Sequence, residues 1–103
     1  MTHKEVLEKT KEIEGLTKVV YMAFSYIQRG RNCTALAKKH ALNGDYQSEN
    51  EFSDEGDDII FLAEGMIKGA VLMSDWKYDY NCILTALYKL PEMEILSILH
   101  SEN

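Results

Sequence analysis

Glu55 and Asp58 stand three residues apart in the run Asp54-Glu55-Gly56-Asp57-Asp58, so on a helix their carboxylates lie one turn apart on one face. Two carboxylates so placed could hold Mg²⁺ against a polyphosphate. The wider segment is also unusual: Asp45, Glu49, Glu51, Asp54, Glu55, Asp57, Asp58 and Glu64 accumulate, while no Lys or Arg occurs between His40 and Met66. Such a strip attracts cationic groups, including a basic face of another protein. A second group, Asp75-Trp76-Lys77-Tyr78-Asp79-Tyr80, interleaves charges with aromatics, and Tyr46 and Phe52 flank the acidic strip. Trp and Tyr bury much area at little rotamer cost, which suits them to anchoring a partner. Beyond these two groups the chemistry is thin. His3, His40 and His100 are scattered, and none stands at metal-ligand spacing from a Cys or another His. The acidic run lacks the alternating ligand order and closing bidentate Glu of an EF-hand loop, and no Gly-rich phosphate loop is present. Neither a metal nor a cofactor is expected from these patterns.

The stretch from Asp54 to Leu62, a Glu-x-x-Asp pair followed by Ile59-Ile60-Phe61-Leu62, is similar to the second metal-binding helix of the MazG-like all-helical nucleoside triphosphate pyrophosphatases. The resemblance implies Glu55 and Asp58 as metal ligands, Mg²⁺ as cofactor and release of pyrophosphate as the activity. That family carries a second pair, Glu-x-x-Glu, on the preceding helix. Here no acid lies between Ser25 and Asn43, and Glu5-x-x-Glu8 is about fifty residues upstream.

The elements that must position these residues are legible in the apolar spacing. Val6, Ile13, Val20, Ile27, Thr34 and Ala41 recur every seventh position, with Leu16, Ala23 and Ala37 at the companion spacing and Phe24 widening the stripe. Lys4, Lys11, Lys18, Ser25, Asn32 and Lys39 keep the same period on the opposite face. This predicts one amphipathic helix over residues 3–42, about 60 Å long if unbroken, with Gly15 and Gly30 as the places where it bends or splits. Asn43-Gly44 supplies the stop. Ser48-x-x-Glu51 has the form of a capping box, with Ser53 as the rival start, and opens a second helix over 49–74. Its acids crowd the end where the macrodipole favours negative charge. Phe52, Ile59, Met66 and Met73 recur by sevens along it, beside Ile60, Ile67, Ala63 and Ala70. Glu64 and Lys68 are expected to pair at i,i+4. Gly65-x-x-x-Gly69 marks a low surface for close helix approach. Two shorter helices are predicted over 80–90 and 91–100, the latter with Pro91 in first position and fraying from His100 to Asn103. The fold class is therefore all-α: an antiparallel hairpin of two long amphipathic helices with one or two short C-terminal helices, in a single domain over 1–103.

Composition limits the function. The 103 residues suffice for one core. Residues 1–44 carry eight Lys/Arg against four Asp/Glu, and residues 45–103 carry three against thirteen, for a net charge of −6. That balance argues against direct nucleic-acid binding, because phosphate affinity comes from Lys and Arg. The apolar run Ile59 to Met73 is interrupted by Glu64 and Lys68 and is shorter than the roughly 20 residues of a membrane span. With residues 1–14 densely charged and only Cys33 and Cys82 present, a cytoplasmic chain with reduced thiols is expected. The reading that follows is a non-enzymatic acidic protein that occludes a basic surface of a partner protein, as immunity proteins, antitoxins and phage-encoded inhibitors do, with nucleic-acid mimicry as a variant. Its partner-binding residues are Asp45, Tyr46, Glu49, Glu51, Asp54, Glu55, Asp57, Asp58, Asp75, Trp76, Tyr78, Asp79 and Tyr80. The alternatives are a self-associating homodimer, with opposite-charge ends paired between chains, and an active or degenerate relative of the pyrophosphatases. The basic Arg29, Arg31, Lys38 and Lys39 stretch is expected to lie beside the acids if the hairpin neutralises itself.

Overall fold

The computed structural model describes residues 1–100. The order is α1 (His3–Thr10), α2 (Leu16–Leu42), α3 (Tyr46–Leu72), α4 (Tyr80–Lys89) and α5 (Glu92–His100). The all-α hairpin expected from the spacing is present: α2 and α3, of 27 residues each, pack antiparallel along their length. The expected fraying is not seen at His100, which is the last residue of α5 and packs edge-on against Tyr21; the rest of it falls on Ser101 to Asn103, outside the described residues.

The first helix does not run unbroken over 3–42. After Thr10 the chain makes tighter i→i−3 bonds from the N–H groups of Lys11, Glu12 and Ile13 to the carbonyls of Glu8, Lys9 and Thr10. Gly15 then takes φ +80° as the residue before α2. A side chain there would be strained, so the glycine permits the change of direction that ends α1 and starts α2. The corner is tied by a buried hydroxyl, since Thr10 Oγ1 donates to the Leu7 carbonyl at 2.6 Å and lies 3.1 Å from Thr17 Oγ1. Freed from the axis of α2, α1 packs chiefly on α4 and α5. The sevenfold stripe survives the corner because Val6, Leu16, Val20, Ala23, Phe24 and Ile27 all enter one core.

Gly30 does not break α2, and its role is packing. A Cβ on it would meet the Ile60 side chain at 2.5 Å and the Gly56 carbonyl at 3.0 Å; one on Gly56 would meet the Gly30 carbonyl at 2.9 Å. The closest approach of the hairpin is therefore Gly30 against Gly56. The expected Gly65-x-x-x-Gly69 approach is not made, because a Cβ at either position would meet nothing within 4 Å.

The core gathers at one end. Leu7, Val20, Phe24, Ile27, Ile67, Ile83, Leu87 and Ile95 are fully buried there, each contributing about 1.5–3 kcal/mol of transfer free energy. Trp76, Leu84 and Leu99 complete it. No residue between Ile27 and Ala63 belongs to this core, so that part of the hairpin projects as an arm and the molecule measures 48 × 26 × 21 Å. Pro91 stands just before α5 rather than inside it, its carbonyl accepting from the Ile95 N–H at 3.1 Å. Cys33 and Cys82 are free, half-buried thiols. Among the described residues, no helix is long and apolar enough to cross a membrane.

Candidate functional site

The arm begins as a capped helix. The Ser48 backbone N–H donates to Asp45 Oδ1 at 3.1 Å, so α3 starts at Tyr46 with Asp45 as its cap. The expected Ser48–Glu51 capping box is not formed, and Glu51 accepts instead from Gln47 Nε2 at 3.4 Å. The bonds from Ser48 hold the Asp45 carboxyl below its ordinary value of 3.8, with nearby His40 adding a smaller effect. His40 Nδ1 lies 3.5 Å from Asp45 Oδ2, and its ring stacks on Phe52 with centroids 5.3 Å apart and 8° between planes. This contact closes the tip. Below it the two helices meet through small groups, with only Gly30, Ala37 and Gly56 buried between Gln28 and Leu62.

The acids face water. Glu51, Asp54, Glu55, Asp57 and Asp58 are exposed, whereas Glu49 is half-buried. At about 100° per residue, Glu51, Asp54, Glu55 and Asp58 share the face of α3 that points away from α2. Among the described residues, no Lys or Arg is ion-paired with any of them: the three ion pairs are Lys4–Glu94, Lys11–Glu8 and His40–Asp45. Self-neutralisation of the hairpin is thus not what the structure shows. The Arg29 guanidinium lies 5.7 Å from the centre of the Tyr26 ring and that of Arg31 5.6 Å from that of Tyr88, while Lys38 and Lys39 are exposed.

The expected Glu64–Lys68 pair is also replaced. Glu64 Oε1 accepts from the Tyr88 hydroxyl at 2.8 Å, and Lys68 lies 5.7 Å from the Tyr80 ring centre. Burial first, and then the Glu64 carboxylate, push the Tyr88 phenol up to about 12.

The two groups singled out in the sequence do not come together. The acids from Asp45 to Asp58 start α3 and the 75–80 segment follows its end, roughly 25–45 Å away along the helix. Trp76 is 9% exposed and belongs to the core, so it is not a surface anchor. Its Nε1 is buried without a hydrogen-bond partner among the described residues, and Tyr78 packs edge-on against it at 5.3 Å. Tyr78 is exposed and Tyr80 half-buried against the core. Asp75 is exposed. Asp79 caps α4, accepting the Asn81 N–H at 2.9 Å. The 75–78 segment borders a shallow cleft of about 330 Å³ with Lys9, Glu12 and Ile13.

Two apolar groups are exposed. One of them includes Met73, which the sevenfold spacing puts on one stripe with Phe52, Ile59 and Met66 but which is 91% exposed, because a seven-residue step drifts about 20° around a straight helix with each repeat. At the arm tip, Leu42 and Tyr46 are 89% and 66% exposed beside the acids. Along the outer face of α3, Phe61, Leu62, Leu72 and Met73 are exposed as well. Their signal was present in the sequence: α3 is apolar around most of its circumference from Ile59 onward, more than one packed face requires.

Metal chemistry does not fit these residues. Glu55 and Asp58 are exposed on the arm, while Glu5 and Glu8 belong to α1, which packs on α4 and α5. Among the described residues, no group of three His, Cys, Asp or Glu side chains is placed to hold a metal ion. No protein-family model, no curated protein and no solved structure matches this chain.

Proposed function

We propose that this protein is a non-enzymatic binding protein whose projecting arm occludes a basic surface of another protein, in the manner of immunity proteins, antitoxins and phage-encoded inhibitors. The observation that carries the reading is the set of exposed carboxylates, Glu51, Asp54, Glu55, Asp57 and Asp58, that no cation of the described chain pairs. Held by a capped helix at the end of an elongated molecule, they present a negative field beyond the bulk of the protein. Such a field steers a basic partner and raises its association rate.

Charge alone does not hold a complex, because an exposed ion pair is worth about 0–1 kcal/mol and is screened over about 8 Å at physiological salt. The tip supplies the other component. Leu42 and Tyr46 offer apolar area next to the acids, and burying each against a partner contributes about 1.5–3 kcal/mol. The acids would set orientation and rate, and the tip would set the lifetime of the complex.

The test is a quadruple substitution, Asp54→Asn, Glu55→Gln, Asp57→Asn and Asp58→Asn, in a protein used as bait for basic cellular proteins. All four side chains are solvent-facing, so helicity and melting are expected to stay as in the wild type. The wild type should capture a basic protein and release it as salt rises, and the variant should capture it at least about tenfold more weakly. Equal, salt-insensitive capture by both proteins would sink the proposal.

A further inference from the structure

The outer face of α3 carries a second feature, separate from the acidic arm. Phe61, Leu62, Leu72 and Met73 are 80%, 55%, 76% and 91% exposed, and Gly65 and Gly69 between them have open space where a side chain would stand. At about 100° per residue all six fall within a sector of about 120°, opposite Ala63 and Ile67, which face the core. A helix apolar on both faces is ordinarily covered on both.

We propose that this face is covered by the same face of a second copy, with the two α3 helices antiparallel and crossing between Gly65 and Gly69. Three observations favour a second copy as occupant. First, the stripe is symmetric about residue 67: in antiparallel register Phe61 stands opposite Met73, Leu62 opposite Leu72, and Gly65 opposite Gly69. The bare positions fall where crossing helices come closest, and the large side chains fall where they diverge, which is the self-complementarity a two-fold interface requires.

Second, the area is sufficient. With about 200 Å² for each large apolar side chain, the exposed fractions give roughly 600 Å² per protomer. Complete coverage of these side chains on both protomers would bury about 1,200 Å², against the roughly 1,000 Å² that a specific interface needs. Third, the charges permit this orientation. The antiparallel register separates Asp58 of the two protomers by about 27 Å along the axis and the acids before it by more, several Debye lengths at physiological salt, while Glu64, about 9 Å from its copy along the axis, lies off this face on the Tyr88 hydroxyl. A parallel pair would set the acidic faces side by side. The dimer leaves an acidic arm free at each end.

Sedimentation and light scattering between 1 and 200 µM, on the order of common cellular and assay concentrations, test the proposal. The wild type should be dimeric, and Phe61→Glu with Leu72→Glu should raise its dissociation constant on the order of 100-fold or more, since the charges would be buried unpaired. Both side chains are largely exposed in the single chain, so circular dichroism should show helicity unchanged. A disulfide assay reads the register on an otherwise unaltered face, in chains whose Cys33 and Cys82 are replaced by Ser. Gly65→Cys chains should cross-link with Gly69→Cys chains and not with each other. A monomeric wild type, a dimer indifferent to the Glu substitutions, or Gly65→Cys chains cross-linking among themselves would each overturn it.

Discussion

At Asp45 one carboxylate caps α3 through the Ser48 N–H and faces His40 across 3.5 Å. Both contacts favour the ionised form, which is why the group sits below its ordinary value. An acid whose folded value is depressed contributes stability above its unfolded value, and the contribution is lost as pH falls through the folded one. Melting temperature should therefore begin to fall below about pH 5, where the unfolded carboxyl starts to protonate, and keep falling until pH passes the folded value, which lies below 3.8. Asp45→Asn keeps a capping oxygen but removes the titration, so its melting temperature should fall less over the same range. Parallel decreases in the two proteins would show that the cap does not depend on charge. In the sequence Asn43-Gly44 marks the stop of the preceding helix, and both Ser48, with its Ser-x-x-Glu spacing, and Asp45 three residues earlier are sound caps. Only the backbone path out of the turn decides between them.

Among the elements, α2 and α3 are joined by contact between backbones rather than by large side chains. Gly56 is the tightest point against backbone, since a methyl there would meet the Gly30 carbonyl at 2.9 Å and Cys33 Cβ at 3.2 Å. A carbonyl in a helix cannot move aside as a long side chain can, so the helices must separate. Gly56→Ala should destabilise the protein by about 1–2 kcal/mol, overpacking outweighing the roughly 1 kcal/mol that Ala contributes as the better helix former. Urea unfolding measures this. A variant as stable as the wild type would place the closest approach elsewhere. The sequence made Gly65-x-x-x-Gly69 the obvious close-approach motif and made Gly30 a weak point of α2. A glycine lowers helix propensity wherever it stands, and spacing alone does not say which glycine meets a neighbouring helix.

The whole molecule is a core with an arm, and the two should differ in stability. Leu7, Val20, Phe24, Ile27, Ile67, Ile83, Leu87 and Ile95 concentrate the apolar burial at one end. The arm buries only Gly30, Ala37 and Gly56 and closes with the His40–Phe52 stack. Regions with few buried apolar contacts open at lower free energy than the global transition. Amide hydrogen exchange should be faster by at least about tenfold at residues 36–55 than at residues 18–27 and 62–70. Uniform protection along both helices would show that the arm is stabilised as strongly as the core. A loosely held arm that carries the unpaired acids is free to adjust to a partner, whereas the aromatic group from Trp76 to Tyr80 is fastened to the core.

The sequence alone determined the fold class, the hairpin, the two short C-terminal helices and the stripe from Val6 to Ile27 that enters the core. Apolar spacing is a local property that a 3.6-residue period converts directly into a buried stripe. It also determined that α3 begins in a carboxylate strip, because charge counts need no coordinates. Tertiary structure decided what lay between elements. It turned the chain at Gly15, put Trp76 in the core, gave Glu64 to Tyr88 rather than to Lys68, and left Glu51, Asp54, Glu55 and Asp58 without an ion-paired Lys or Arg among the described residues. Each of these depends on which surfaces meet across tens of residues. Two helices with suitable stripes can pack in several rotations, and the contact between Gly30 and Gly56 selects the one that turns the acids, and the apolar face continuing from them, toward solvent.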